Sequence, residues 1–196
     1  MHPIMEFLKK EQDSYLLGLE IGEFNFKDII KTHGPETQQE YVTIKDAIGD
    51  LPSLNTKETK TNYLKKPFSD FQQLMRLNTN ETVSGHTSPN HPISTIERIK
   101  NTIPGESMYD RFNQRIRLAW NILSPTQVSG GIRPQFQLGH PKDNRGLTIR
   151  ERCRIQSFPD DFVVEGGTVQ ARVQTGNAVP PLLAKAVALA IKKYLE

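Results

Sequence analysis

Residues 180–196, PPLLAKAVALAIKKYLE, constrain most strongly what this chain can fold into. Pro180 and Pro181 suit the first turn of a helix, where a missing N–H leaves no hydrogen bond unmade. Leu182, Leu183, Ala186, Val187, Ala190, Ile191 and Tyr194 then share one face at helical spacing, and Lys192 and Lys193 complement the helix dipole in the last turn. A helix this apolar on one side must bury that side. Hydrophobic residues make up only 36% of the 196, below the ~45% usual for a self-contained domain. Few strongly apolar segments elsewhere can cover the face, so the sequence predicts a partner surface outside the chain.

Composition closes off several function classes. A single cysteine excludes an internal disulfide framework and a multi-cysteine zinc site. No run approaches the ~18 apolar residues of a membrane span. The start MHPIMEFLKKEQDS lacks the apolar stretch of a signal peptide. These features predict a soluble, cytoplasmic chain with no membrane partner.

The first 40 residues are weakly patterned, with Gly18, Gly22 and the turn-like His33-Gly34-Pro35, and read as a connecting arm. Four helix starts follow, each with a side chain able to cap free amides. Thr43 and Asp46 open TIKDAI, which a left-handed Gly49 can close. Ser69 and Gln72 precede FQQLM; Ser94 and Glu97 precede IERIKNT, stopped by Pro104-Gly105; Thr148 and Glu151 open a helix that ends before Pro159. Ile116–Leu118 and Trp120–Ile122 alternate with polar positions and suit a strand. Short helices with long polar connections predict an irregular α+β fold.

Charge is distributed unevenly. Residues 1–110 carry 12 basic and 16 acidic side chains, a balance of −4, whereas 111–154 carry 9 and 2, a balance of +7. Such a local excess matches either a polyanion footprint or an Arg-rich solvated face. Within it, Ser129-Gly130-Gly131 followed by Arg133-Pro134-Gln135 is a flexible-then-stiff loop. Arg and Gln can read guanine and adenine edges bidentately, and an ordinary surface loop carries the same letters.

Self-contained catalysis is hard to find. Cys153, between Arg152 and Arg154, is either an activated thiol or a small buried side chain. His86 and His91 lack helical ligand spacing and any acidic or sulfur companion, so no metal site is expected. Asp160-Asp161 follow Phe158-Pro159 in a turn and suit capping more than acid–base work. The Gly-Gly pairs at 130–131 and 166–167 do not make a phosphate loop.

Two stretches, RGLTIRERCRIQSFPDDF (145–162) and VQTGNAVPPLLAKAVALAI (173–191), closely resemble the last two motif blocks of the DNA cytosine-5 methyltransferases. The matching positions of the first are Arg145, Leu147, Thr148, Arg150, Glu151, Arg154, Gln156, Phe158, Pro159 and Asp160. Those of the second are Gln174, Gly176, Asn177, Ala178, Val179, Pro180 and Pro181. YVTIKDAIGDLP (41–52) is similar to the segment that opens the target-recognition region in many bacterial members. Thr175 departs from the pattern, which usually has Ile or Val there. The family's Phe-x-Gly-x-Gly loop, Pro-Cys nucleophile, Glu-Asn-Val block and Gln-x-Arg-x-Arg block do not occur, and Gln114-Arg115-Ile116-Arg117 has the wrong spacing for the last.

The resemblance implies the C-terminal part of such an enzyme. Residues 1–54 would be an arm after the catalytic motifs, and 55–170 a small target-recognition domain of short helices and strands. Residues 171–196 would be the cofactor-side motif and a closing helix that packs on a Rossmann-like catalytic domain absent here. Gly176, Asn177, Ala178 and Val179 would border S-adenosylmethionine. In the segment Ser124–Gly139, Arg133 and Gln135 would read bases of double-stranded DNA beside Thr126 and Gln127, with Arg115 and Arg117 on phosphates. Arg145, Thr148, Arg150, Glu151, Arg154 and Gln156 would be scaffold. The expected partner is a catalytic subunit or domain bearing the Pro-Cys nucleophile, without which this chain is expected to be inactive. The implied setting is a bacterial restriction-modification system acting on nucleoid DNA. A natural split subunit and a truncated fragment fit equally, and a stand-alone sequence-specific DNA-binding module is the reading from a different class.

Overall fold

Thr43 starts the first helix as its sequence predicts. Its hydroxyl accepts from the Asp46 amide, and the Asp46 carboxylate accepts from the Thr43 amide at 3.0 Å, a complete capping box for α1, Ile44–Ile48. Two further first-turn amides find carbonyls elsewhere in the chain: Ile44 N donates to Ile122 O at 3.0 Å and Lys45 N to Trp120 O at 2.9 Å. The segment 120–122 is therefore not the strand its alternation suggests; its carbonyls serve a helix N-terminus. Gly49 closes α1 with φ −68°, in the right-handed and not the expected left-handed region.

The computed structural model describes residues 41–79, 81–129 and 137–195. The predicted arm 1–40, together with Arg133 and Gln135, lies outside the described residues. Val42–Pro181 forms one compact unit, and the second unit comprises Met1–Tyr41 with Leu182–Glu196. The boundaries at 54/55 and 170/171 both fall inside the first unit.

Along that unit, α2 is Asp70–Met75, α3 is Ile93–Asn101, β1 is Ile116–Arg117, β2 is Leu138–Gly139, α4 is Ile149–Ile155 and α5 is Thr168–Asn177. Ser69 caps α2, while the Gln72 side chain accepts from Phe68 N instead of completing the box on Ser69. Helix α3 starts after Pro92 with no side-chain cap, so Ser94 and Glu97 are interior residues, not the predicted box. Strands β1 and β2 pair in parallel, Ile116 opposite Leu138 and Arg117 opposite Gly139. The core gathers Ile44, Ala47, Ile48, Leu51, Val83, Leu118, Leu138 and Leu147, with Trp120, Ile122 and Ile155 packed against it. Among the described residues, short helices and one two-stranded sheet thus make up the fold of this unit.

In the second unit only Tyr41 and residues 182–195 of the helix α6, Pro181–Leu195, are described. Pro181 is its first residue, as the missing N–H predicts. Leu182, Ala186, Val187 and Ala190 are half-buried, and Leu183, Leu189 and Leu195 are exposed; the side chains of Lys193 and Tyr194 lie outside the described set. No described helix is long and apolar enough to cross a membrane.

Candidate functional site

Helix α4 carries the sequence IRERCRI, yet Arg150, Glu151, Arg152, Cys153 and Arg154 are all at most 3% exposed. Three guanidinium groups in the interior require partners, because burying an uncompensated charge costs several kcal/mol. Thr148 sets the helix start: its hydroxyl accepts from Glu151 N at 3.1 Å, and Glu151 Oε2 accepts from Thr148 N at 2.8 Å. Ser157 ends it at φ +59°, with Phe158 N on Cys153 O and Ser157 N on Arg154 O, a Schellman close.

Each arginine reaches a different part of the unit. Arg154 donates to Asp160 at 2.5 and 2.6 Å, to Asp50 at 3.1 Å and to Ala47 O at 2.9 Å, joining α4 to the end of α1. Asp50 also pairs with Arg76, and Asp160 with the Tyr63 hydroxyl. Arg150 donates to Ser84 O at 2.9 Å, Pro159 O at 3.0 Å and Phe162 O at 2.7 Å, with Asp160 3.6 Å away. Arg152 points toward α5, where its Nε donates to Thr175 Oγ1 at 2.9 Å and its Nη2 to Val128 O at 3.2 Å.

A second polar cluster sits at the N-terminus of α4. Arg145 joins Glu151 to Asp143, and Asp143 accepts from Leu54 N at 3.0 Å. Burial alone would push the Glu151 carboxyl up, but the Arg145 charge holds it well below the usual carboxylate range. His140 Nδ1 accepts from Asp143 N at 2.8 Å, and burial pushes this imidazole down to about 4. His86 bridges Thr148 Oγ1 and Pro52 O at 3.1 and 2.7 Å, and its pKa is lowered by burial. Every bond here fixes geometry; none leaves an acid or base open to a substrate.

The first residues of the predicted recognition loop Ser124–Gly139 pack on α4 and α5. Gln127, 8% exposed, donates to Arg152 O at 3.0 Å, so its side chain points inward and not toward a ligand. Gln137 ties the segment from both sides of its own amide: Oε1 accepts from Val128 N at 3.1 Å and Nε2 donates to Thr126 O at 2.8 Å. Thr126 itself is exposed.

Arg115 and Arg117 part company. Arg115 stacks over the Phe112 and Tyr109 rings, 4.2 and 5.7 Å to the centroids. Arg117 is 8% exposed and is a structural anchor, not a phosphate contact at the surface. It donates to Ile99 O, Lys100 O and Thr102 O at 3.0–3.2 Å and to Lys142 O at 3.1 Å. A cation against the last carbonyls of α3 is where the helix dipole favours it.

At the predicted cofactor-side motif, Asn177 ends α5 and is exposed, and Val179 is 64% exposed. Gly176 is committed elsewhere. A Cβ added there would collide with the backbone of Val128 and Ser129, so its missing side chain admits protein backbone instead of a cofactor. The departure at Thr175 also finds its reason: the hydroxyl accepts from Arg152 and donates to Arg172 O at 3.1 Å. Cys153 is buried, and burial raises its thiol to about 11, so it is no nucleophile at neutral pH. No cluster of His, Cys, Asp and Glu among the described residues can hold a metal ion.

The family model for C-5 cytosine-specific DNA methylases matches residues 8–193. The chain belongs to this family. It is 34% identical to the type II methyltransferase M1.HphI of Haemophilus parahaemolyticus, over 79% of this chain and 37% of that one. With M.DdeI of Desulfomicrobium norvegicum it shares 29% identity over 96% of this chain and 52% of that one. A crystal structure of an E. coli prophage-encoded protein assigned as a DNA modification methyltransferase superposes with a TM-score of 0.64 at 26% identity, covering 81% of this chain and 49% of the other. The chain therefore spans about half the length of the methylases it matches.

Proposed function

We propose that this chain is the DNA-target part of a DNA (cytosine-5-)-methyltransferase, active when joined to a catalytic half that carries the nucleophile. The observation that carries this reading is Cys153, the chain's only cysteine, sealed inside α4 with its thiol raised to about 11. A family whose chemistry runs through a cysteine thiolate must find it in another part of the enzyme. This chain contributes the surroundings of the reaction. The family's target base must leave the duplex to be reached. Of the nine basic side chains over 111–154, Arg117, Arg145, Arg150, Arg152 and Arg154 are buried, so the described cations there that can face DNA are Arg111, Arg115 and Lys142. Arg115, Thr126, Arg133 and Gln135 are the candidate DNA contacts, with Arg133 and Gln135 the base readers.

S-adenosylmethionine supplies an electrophilic methyl group when bound. Asn177 and Val179, exposed at the end of α5, fit one border of its site, with Ala178 fixing the extended backbone between them at φ −73°, ψ 145°. The face of α6 is the proposed docking surface for the catalytic half.

The test is transfer of radiolabelled methyl groups to unmethylated genomic DNA, by the chain alone and mixed with a catalytic half bearing a Pro-Cys block. Transfer only in the mixture is expected, and bisulfite sequencing then defines the target. Transfer by the chain alone overturns the proposal. DNA binding without transfer in either case favours a stand-alone binding module.

A further inference from the structure

Arg152 differs from the arginines two residues away on either side. Arg150 and Arg154 both face carboxylates. Arg152, 3% exposed, meets neutral acceptors alone among the described residues: Thr175 Oγ1, Val128 O and, at 3.4 Å, Arg172 O. Burial and the nearby Arg172 charge push it down to about 10. Placing a cation against neutral groups is expensive, and an apolar side chain of similar volume would fill the space without that cost. An apolar side chain cannot, however, bond α5 and the Val128 carbonyl at once.

Those positions have a common feature. Val128 lies in the segment that leads into the predicted base readers, and Thr175 lies two residues before Asn177. Gly176 rests its Cα on the backbone of Val128 and Ser129. Gln127 donates to Arg152 O, and Gln156 to Thr175 O. Each link crosses between the segment Thr126–Ser129, α4 and the last turn of α5.

We propose that Arg152 is a positioning residue that locks the segment Thr126–Ser129 to the turn Asn177–Val179, so that the DNA-facing segment and the methyl-donor border move as one body. This rests on the reading of those two segments given above. Donor affinity and sequence discrimination then change together when this guanidinium is disturbed. Reciprocity of coupling requires the same of DNA on donor binding.

The test uses Thr175→Val, which keeps the side-chain shape and deletes the acceptor of Arg152 Nε, and Arg152→Met, which removes all three bonds. In the full chain, amide exchange at 127–129 and 176–179 is expected to quicken about 10-fold in both variants while α1 is unaffected. In the enzyme assembled with its catalytic half, affinity for a non-reactive S-adenosylmethionine analogue falls about 5–10-fold. Discrimination between the target and a one-base variant falls by a similar factor. Unchanged exchange overturns the proposal. So does a lower melting temperature with analogue affinity and discrimination intact in the folded fraction, which is what mere packing produces. If wild-type enzyme fails to bind the analogue while exchange behaves as expected, the donor-border reading fails and takes the positioning role with it. Wild-type binding with indifferent variants defeats the positioning role alone.

Discussion

Arg145 holds Glu151 by two parallel hydrogen bonds, Nη1 to Oε2 and Nη2 to Oε1, each 2.8 Å. The same carboxylate caps α4 through Thr148 N, so one buried acid both starts the helix and neutralises the arginine beside it. Breaking a buried pair from one side leaves the other charge uncompensated. Glu151→Gln is therefore expected to destabilise the chain by about 3–5 kcal/mol, read from denaturant midpoints. The folded carboxyl titrates well below its ordinary value of 4.5. Its contribution is thus complete above pH 4.5 and fades as pH falls below it, and the variant lacks this acid dependence. An unchanged midpoint for the variant contradicts the pairing.

His140 adds a second pH dependence in a higher window. Nδ1 accepts from Asp143 N and, at 3.3 Å, from Lys142 N, so a proton there breaks both bonds. Folded His140 titrates at about 4, against 6.5 when exposed. Between those values the unfolded chain takes up a proton that the folded chain refuses, so stability declines as pH drops from 6.5 toward 4. His91, pushed down to about 4 by burial and the Arg172 and Arg145 charges, acts in the same direction. Thermal unfolding at pH 7, 5.5 and 4.5 is expected to show a falling midpoint. His140→Asn flattens part of that slope, and an equally steep slope in the variant assigns it to other groups.

How much of this was legible in the sequence follows from the range of each contact. The boxes Thr43–Asp46 and Thr148–Glu151 close within three residues, so their spacing gave both helices directly. Helix α5 left no such signal: its buried residues are only Ala171 and Thr175, while Val169 and Val173 face solvent. It is held by Arg152, Gln156 and the Val128–Ser129 backbone, all from other segments. The motif letters of Arg145, Arg150 and Arg154 resembled a known block. Their carboxylate partners Asp50, Asp143 and Asp160 became visible only through the fold. Arg152, between two recognised arginines, carried no sequence mark of its different role.

Cys153 gives a prediction that separates packing from chemistry. Its thiol is 1% exposed and raised to about 11 by burial. A neutral thiol-specific reagent is expected to leave the native chain unmodified and to label one thiol per chain after denaturation. Cys153→Ala costs about 1 kcal/mol, in line with removing one small buried group, and leaves methyl transfer by the assembled enzyme unchanged. Rapid labelling of the folded chain, or loss of transfer in the variant, reopens the nucleophile reading.

Arg115 and Arg117, two residues apart in the basic stretch, are expected to fail in different ways. Arg117 spends its guanidinium on carbonyls of Ile99, Lys100, Thr102 and Lys142. Arg117→Ala takes a donor from the Lys100, Thr102 and Lys142 carbonyls, leaves Ile99 O with Thr102 N and uncaps α3, so about 3 kcal/mol of stability is lost. Its folded fraction binds DNA with an unaltered salt dependence. Arg115 is half-buried and stacks on Phe112 and Tyr109, so Arg115→Ala is expected to cost less stability than Arg117→Ala. If it touches a phosphate, its loss weakens binding to all sequences alike and lowers the slope of log K against log salt by about 1. Fluorescence anisotropy at several salt concentrations, paired with unfolding midpoints, reads both quantities. A salt-slope change in Arg117→Ala without loss of stability would return that residue to the DNA surface.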